Sequence, residues 1–172
     1  MKIFLRPIEL KDGDLIVKWR NDEKVLAHCM NKQRVTLESN ETFYRENIIP
    51  GKYKQFIVER IEENFGLVSY PIATVYLKDM DYSNKKCELC IFTSNDEEWG
   101  TEGQIIAIQM LLDKAFKEFG MHKVYSYVFK KFPDEIELLK EAGFKIEATL
   151  LDEAENINGG YDDVLRLSIY NV

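Results

Sequence analysis

Apolar and polar positions change period several times along the chain, and each change marks an element. Residues 2–6 alternate as a strand does, and Pro7 closes the run. Residues 8–20 then carry Leu10, Leu15, Ile16 and Trp19 on one helical face. Asp22 can cap a short helix containing Val25, Leu26 and Met30. Thr36, with Glu38 just inside, can cap another through Phe43, Tyr44 and Ile48, which Pro50-Gly51 stops. Residues 53–60 and 67–77 read as strands joined by Glu62-Glu63-Asn64, with Gly66 as the turn residue and Pro71 marking a bulge or an edge. Residues 79–85 form a further turn.

The rest of the chain is organised around residues 87–116, CELCIFTSNDEEWGTEGQIIAIQMLLDKAF, which read as strand, loop and helix. The strand is apolar except at Glu88. In the helix Ile105, Ile108, Leu112 and Phe116 fall near helical spacing, and Ala107, Met110, Leu111 and Ala115 widen the face into one that must be buried. A glycine-bearing loop delivered onto a helix N-terminus aims free N–H groups and the positive end of the helix dipole at one point, an arrangement suited to phosphate. Residues 122–129 follow as a strand and 134–141 as a short helix. Residues 144–151 and 164–170 close the chain as a hairpin around Asn158-Gly159-Gly160. The order β-α-α-β-β-β-α-β-α-β-β predicts an α+β fold, with helices on both faces of a mixed sheet.

The 172 residues suit one domain, residues 1–172, large enough to bury about 70% of the unfolded surface without disulfides. No apolar run approaches the roughly 20 residues needed to span a bilayer, and the N-terminus is too short in apolar residues for a secretory signal. Three cysteines make no framework of pairs, so the expected compartment is the reducing cytoplasm. A net charge of −7 with interspersed Lys and Arg argues against nucleic acid as a partner and suits an amine-bearing ligand.

Glu88, alone in an apolar strand, either faces solvent on the pleat or is held near a cleft, fit to take a proton. Cys87-Glu88-Leu89-Cys90 contains C-x-x-C, but two cysteines three apart in a strand point to opposite faces and no second pair exists, so both are read as core packers and no metal is expected. His28, His122 and Cys29 lack the neighbours that would make them ligands or a nucleophile.

Trp99-Gly100-Thr101-Glu102-Gly103 through Leu111-Leu112-Asp113-Lys114-Ala115-Phe116 resembles the WGKGYGTEA…LLLDYAF segment of the general N-acetyltransferase (GNAT) superfamily, without a gap. The likeness extends to Lys86-Cys87-Glu88-Leu89, to Phe119-Gly120-Met121-His122-Lys123-Val124 and to Ala142-Gly143-Phe144. It implies a splayed sheet with acetyl-CoA as co-substrate in the gap. The pantetheine arm is then expected on Ile91, Phe92 and Thr93. The pyrophosphate is expected on the loop of Trp99, Gly100, Thr101, Glu102, Gly103 and Gln104. Relatives place a glutamate at Glu88 beside the acceptor amine, and often a glycine at Cys90. Trp19-Arg20-Asn21 and Met30 resemble a pattern in a branch that includes nucleotide-amino-sugar N-acetyltransferases; the bland reading is that Trp19 is core and Arg20 caps its helix. Asn158-Gly159-Gly160-Tyr161-Asp162-Asp163-Val164 resembles a segment of the ribosomal-protein and polyamine acetyltransferase branches, and equally fits a type I′ hairpin turn.

The resemblance also fails in places. Glu102 and Gln104 occupy the two diagnostic glycine positions of the phosphate loop. Phe132 aligns with the family asparagine before the following helix, and Leu139 with the tyrosine that commonly protonates the departing thiolate. Tyr125, Ser126 and Tyr127 are candidate substitutes for it. The leading expectation is an acetyl-CoA-dependent N-acetyltransferase acting by direct attack, with Glu88 as base and Trp19, Arg20, Asn21, Met30 and Tyr161 on the acceptor side. The expected acceptor is a small-molecule amine, an amino sugar first and a polyamine or protein N-terminus after it; a homodimer is allowed for. The second expectation is a GNAT-fold binding module without turnover.

Overall fold

The computed structural model describes residues 1–64, 66–94 and 96–172, with the side chain of Asp96 left aside. In chain order the elements are β1 (Ile3–Pro7), α1 (Gly13–Arg20), α2 (Glu23–Ala27), α3 (Leu37–Phe43), β2 (Lys54–Glu62), β3 (Val68–Asp81), β4 (Lys86–Phe92), α4 (Gly100–Asp113), β5 (Lys123–Phe129), α5 (Pro133–Glu141), β6 (Lys145–Glu155) and β7 (Tyr161–Tyr170). Three helices, not two, separate β1 from β2. The expected helix over 8–20 begins as a single 3₁₀ turn at Leu10–Asp12 before α1. Asp22 caps α2 by accepting from the Lys24 backbone N–H, but Met30 lies beyond the end of that helix. Thr36 caps α3 through a reciprocal box with Ser39 rather than with Glu38.

The seven strands form one sheet in the order β1-β2-β3-β4-β5-β7-β6, antiparallel at every join except β4 to β5. Ile72 is the extra residue of a bulge, since Val58 pairs with Ala73 and Glu59 with Pro71. Pro71 thus sits where a missing N–H is tolerated. The hairpin between β3 and β4 is tighter than expected, with β3 running on to Asp81. At the other end the turn is a five-residue loop, not a two-residue type I′ turn: Glu155 pairs with Tyr161, and the Asn156 side chain accepts from the Asn158 and Gly160 N–H groups. Gly159, at φ +83, supplies the left-handed residue that this loop needs.

Each face of the sheet has its own core. On one, Cys87, Leu89, Val124 and Val128 meet Ala107, Ile108 and Leu111 of α4 and Ile136 and Leu139 of α5. Ile108 and Leu111 are fully buried, and each such side chain contributes about 1.5–3 kcal/mol relative to exposure. On the other face Ile57 meets Ile8, Ile16 and Trp19, with Tyr44, Ile48 and Phe92 at the margin. Alternation along β4 therefore sends Cys87 and Leu89 to the first core and Glu88 and Cys90 to the opposite face.

Candidate active site

β4 and β5 are paired at three rungs, Lys86 with Lys123, Cys87 with Val124 and Glu88 with Tyr125, although β4 continues to Phe92 and β5 to Phe129. Beyond Glu88 and Tyr125 the two strands separate. Ser126 Oγ reaches across just past the last rung and donates to the Leu89 carbonyl at 2.8 Å. Ile91 and Phe92 pair on their other side with Val75 and Thr74 of β3, and Thr93 Oγ1 donates to the Ile72 carbonyl at 2.6 Å. The edge of β4 that faces β5 is thus open to an extended amide-bearing ligand, which would satisfy its backbone groups as a strand would.

Glu88 stands where the strands part and is only 6% exposed. Its Oε2 accepts from the Cys90 thiol at 2.9 Å and lies 3.5 Å from the Lys78 ammonium, contributed by the residue opposite it on β3. Burial, then the charge and hydrogen bond of Glu88, push the Cys90 thiol well above its ordinary range, so it is a protonated donor at neutral pH. Burial is the largest single influence on Lys78 and opposes its charge, but Glu88 together with Cys90, Tyr53 and Asp79 outweighs it, and the ammonium is held above its usual value. Cys90 is therefore more than the core packer expected; Cys87 alone has that role, its thiol pushed up to about 12 mainly by burial.

Tyr125 completes the site from β5. Burial, with the charges of Asp79 and Glu88, pushes its hydroxyl up to about 12, and the Arg166 guanidinium lies 3.8 Å from the ring centroid. Of its two neighbours, Ser126 is committed to Leu89, and the Tyr127 hydroxyl accepts from Arg166 at 2.8 Å. Leu139 is packed in the core.

The loop that leads into α4 is pinned to the sheet: Arg60 donates to the Glu98 carbonyl at 2.6 Å, and the Tyr70 hydroxyl to the Glu98 carboxylate at 3.1 Å. Asn95, within the predicted phosphate loop, lies outside the described residues. Trp99 is the N-cap of α4 and offers no side-chain cap, so the first-turn N–H groups of a 14-residue helix have no side-chain acceptor at that position. Gly100, at φ +56, has open space where a Cβ would stand. Thr101 and Glu102 are exposed, which turns the Glu102 carboxylate to solvent, and Gln104 is half-buried. Gly103 has another reason to be glycine, because a Cβ there would come within 2.7 Å of the Trp99 Cβ. Trp99 itself is buried, and its Nε1 has no hydrogen-bond partner among the described residues. A helix N-terminus with no side-chain cap from Trp99, behind an open glycine, fits the pyrophosphate of a coenzyme A thioester.

The residues expected on the acceptor side are mostly engaged in structure. Trp19 is 3% exposed in the second core, beside Ile16 and Ile57. Asn21 holds the backbone of Val35 at both ends, donating to its carbonyl at 2.6 Å and accepting from its N–H at 2.7 Å. Arg20 donates to the Asn31 carbonyl, while its other terminal nitrogen is buried without a described partner. Together these two residues fasten the segment that carries Met30, which is exposed. Tyr161 begins β7 seven residues before Ser168, the partner of Tyr125, and so stands about 23 Å along the strand from the Glu88 rung. His28, set aside as a ligand, joins the end of α2 to α5 through Glu135 at 2.7 Å and stacks on Phe132 with centroids 3.8 Å apart.

A groove of about 610 Å³ opens between the 47–53 segment and the β3–β4 hairpin, lined by Tyr53, Asp79, Met80 and Tyr82 among others. Tyr53 links it to Glu88: its ring stacks on Tyr76 with centroids 5.7 Å apart, and its hydroxyl feels the charges of Lys78, Asp79 and Glu88. Sequence reading missed Lys78, Tyr53 and Tyr76. The one sign of them was alternation in two adjacent strands, which gives a face but not a partner.

A mixed sheet opened between two parallel strands, with a helix N-terminus that Trp99 does not cap, suits an acyltransferase that uses a coenzyme A thioester. The chain belongs to the GNAT acetyltransferases, since residues 2–145 match the family model described as an acetyltransferase (GNAT) domain. It is accordingly an acetyl-CoA-dependent N-acetyltransferase. Among solved structures it resembles spermidine N-acetyltransferase from Vibrio cholerae in complex with CoA and spermine, at 26% identity and a TM-score of 0.87, over 98% of this chain and 95% of that one. It also resembles the spermidine/spermine N-acetyltransferase of Vibrio cholerae in complex with manganese ions, at 27% identity and a TM-score of 0.80, over 98% and 92% of the two chains. No curated protein matches the sequence significantly. Among the described residues no helix is long and apolar enough to cross a membrane.

Proposed function

We propose that this acetyltransferase acts on an aliphatic amine of the polyamine kind, with Glu88 taking the proton from the attacking nitrogen. The observation that carries the proposal is the buried carboxylate at the last β4–β5 rung, whose charge reaches Tyr53 in a groove lined also by Tyr82, by a second carboxylate, Asp79, and by a cation, Lys52. Aromatic faces and carboxylates attract alkylammonium groups, and the −7 net charge of the chain favours their approach. The polyamine N-acetyltransferases of similar structure support this acceptor over an amino sugar. The burial of Trp19 and the backbone bonds of Asn21 support it as well, because they leave two residues of the amino-sugar-like pattern occupied elsewhere.

Acetyl-CoA supplies the activated thioester, its pantetheine arm along Ile91, Phe92 and Thr93 and its pyrophosphate over Trp99 to Gln104. Glu88 accepts the proton lost by the amine. Tyr125, protonated at neutral pH and facing Glu88 across the last rung, is the donor that replaces the tyrosine missing at Leu139. General acid–base catalysis of this kind contributes about 10²–10⁴-fold.

The test is free-thiol release from acetyl-CoA across spermidine, spermine, a panel of amino sugars and N-terminal peptides. Polyamines should give the highest kcat/KM. Turnover confined to amino sugars would overturn the acceptor assignment. A thermal shift with acetyl-CoA but no turnover on any amine would favour a binding module.

A further inference from the structure

Glu88 does not stand free in its strand. Two groups from different strands meet on one of its oxygens, Oε2: the Cys90 thiol, a hydrogen-bond donor at 2.9 Å, and the Lys78 ammonium, an ion-pair partner at 3.5 Å. Lys78 is opposite Glu88 in the β3–β4 register, and Tyr76 is opposite Cys90. Tyr76 is itself wedged between Tyr53, stacked at 5.7 Å, and Phe92, edge-on at 6.1 Å. The thiol therefore has an aromatic wall behind it and a carboxylate ahead of it.

We infer that Lys78 and Cys90 are positioning residues for the base: they fix Oε2 by a cation and a hydrogen bond, and so turn Oε1 toward the acceptor nitrogen. This rests on the acetyl-transfer reading of Glu88. A carboxylate with one oxygen held by a hydrogen bond and an ion pair is restrained about its terminal bond, so the lone pairs of its other oxygen point in a preferred direction. A glycine at position 90 would provide no donor at all. The titratable groups facing Glu88 are Lys78 of β3, Cys90 of β4, Tyr125 of β5 and Tyr53 before β2, with Asp79 acting on both Tyr53 and Tyr125 and the Tyr76 hydroxyl hydrogen-bonded to Cys90. Only Lys78 among them brings a positive charge to Glu88 as an ion pair.

The experiment uses four variants, Cys90→Ala, Cys90→Ser, Lys78→Met and Lys78→Arg, assayed with acetyl-CoA and spermidine. Cys90→Ala should lower kcat about tenfold with the KM for acetyl-CoA unchanged, and Cys90→Ser, which restores a hydroxyl donor, should recover most of the loss. Lys78→Met should likewise lower kcat with the KM for acetyl-CoA unchanged, and Lys78→Arg, which keeps a cation opposite Glu88, should recover most of the loss. Wild-type kcat in both Cys90→Ala and Lys78→Met would overturn the inference.

A second measurement is independent of turnover. The infrared S–H stretch of Cys90, isolated as the difference between the wild-type and Cys90→Ala proteins, should rise in frequency in Glu88→Gln, where a weaker acceptor replaces the carboxylate. If no amine is acetylated, the catalytic reading fails separately and this band decides the positioning: a shift sustains it and an unmoved band ends it.

Discussion

Glu88 and Tyr125 face each other across the last paired rung of β4 and β5, and past them the two strands diverge. The proposed base, the proposed acid and the start of the opening are thereby set by a single register. A change at either residue should affect chemistry before it affects stability.

Glu88→Gln keeps the shape and much of the hydrogen bonding but removes the base. Turnover should fall about 10²–10⁴-fold while acetyl-CoA affinity, measured by calorimetric titration, stays nearly constant. An unaltered rate would remove Glu88 from the mechanism.

Glu102 lies in the first turn of α4 and is exposed, so its charge is screened from a pyrophosphate over the helix N-terminus. Glu102→Gln should tighten acetyl-CoA binding by no more than about threefold at low salt, and the gain should fade as salt rises. Equal affinities of the two proteins at low salt would place the carboxylate outside the field of the phosphates.

Trp19 is 3% exposed among Ile16 and Ile57, and large-to-small changes at such sites cost about 3–5 kcal/mol. Trp19→Ala should lower the urea midpoint by a corresponding amount. A variant of undiminished stability but raised acceptor KM would instead put Trp19 at the acceptor.

Asp12 is buried and gripped by Arg6 through two bonds of 2.8 Å. Burial alone would raise its pKa, but the hydrogen bonds from Arg6 and the Glu9 backbone prevail and hold it below the ordinary value of 3.8. A depressed folded pKa adds stability that is complete above the unfolded value and is lost as pH falls through the folded one. Asp12→Asn should therefore destabilise the protein by about 3 kcal/mol at pH 7, and its deficit against wild type should shrink only below about pH 4. Denaturant unfolding at pH 7 and pH 3 measures both numbers.

Amino-acid order alone determined the succession of elements here, because period-2 and period-3.6 patterns, caps and turn residues are local. The buried helix after an apolar strand, the caps at Asp22 and Thr36, the bulge at Pro71 and Glu88 as a misplaced charge could all be read without coordinates. What the fold alone decided is which distant residues meet. Alternation assigns Glu88 and Cys90 to one face, but it cannot bring Lys78 opposite Glu88 or Tyr76 opposite Cys90. That pairing is the register of two strands, set by hydrogen bonds and by the length of the turn between them. Nor can a local pattern tell where β4 and β5 stop pairing, since this depends on helices packed against opposite faces of the sheet. The same holds for Trp19 and Asn21, whose motif suggested an acceptor while packing and the Val35 backbone claimed their side chains.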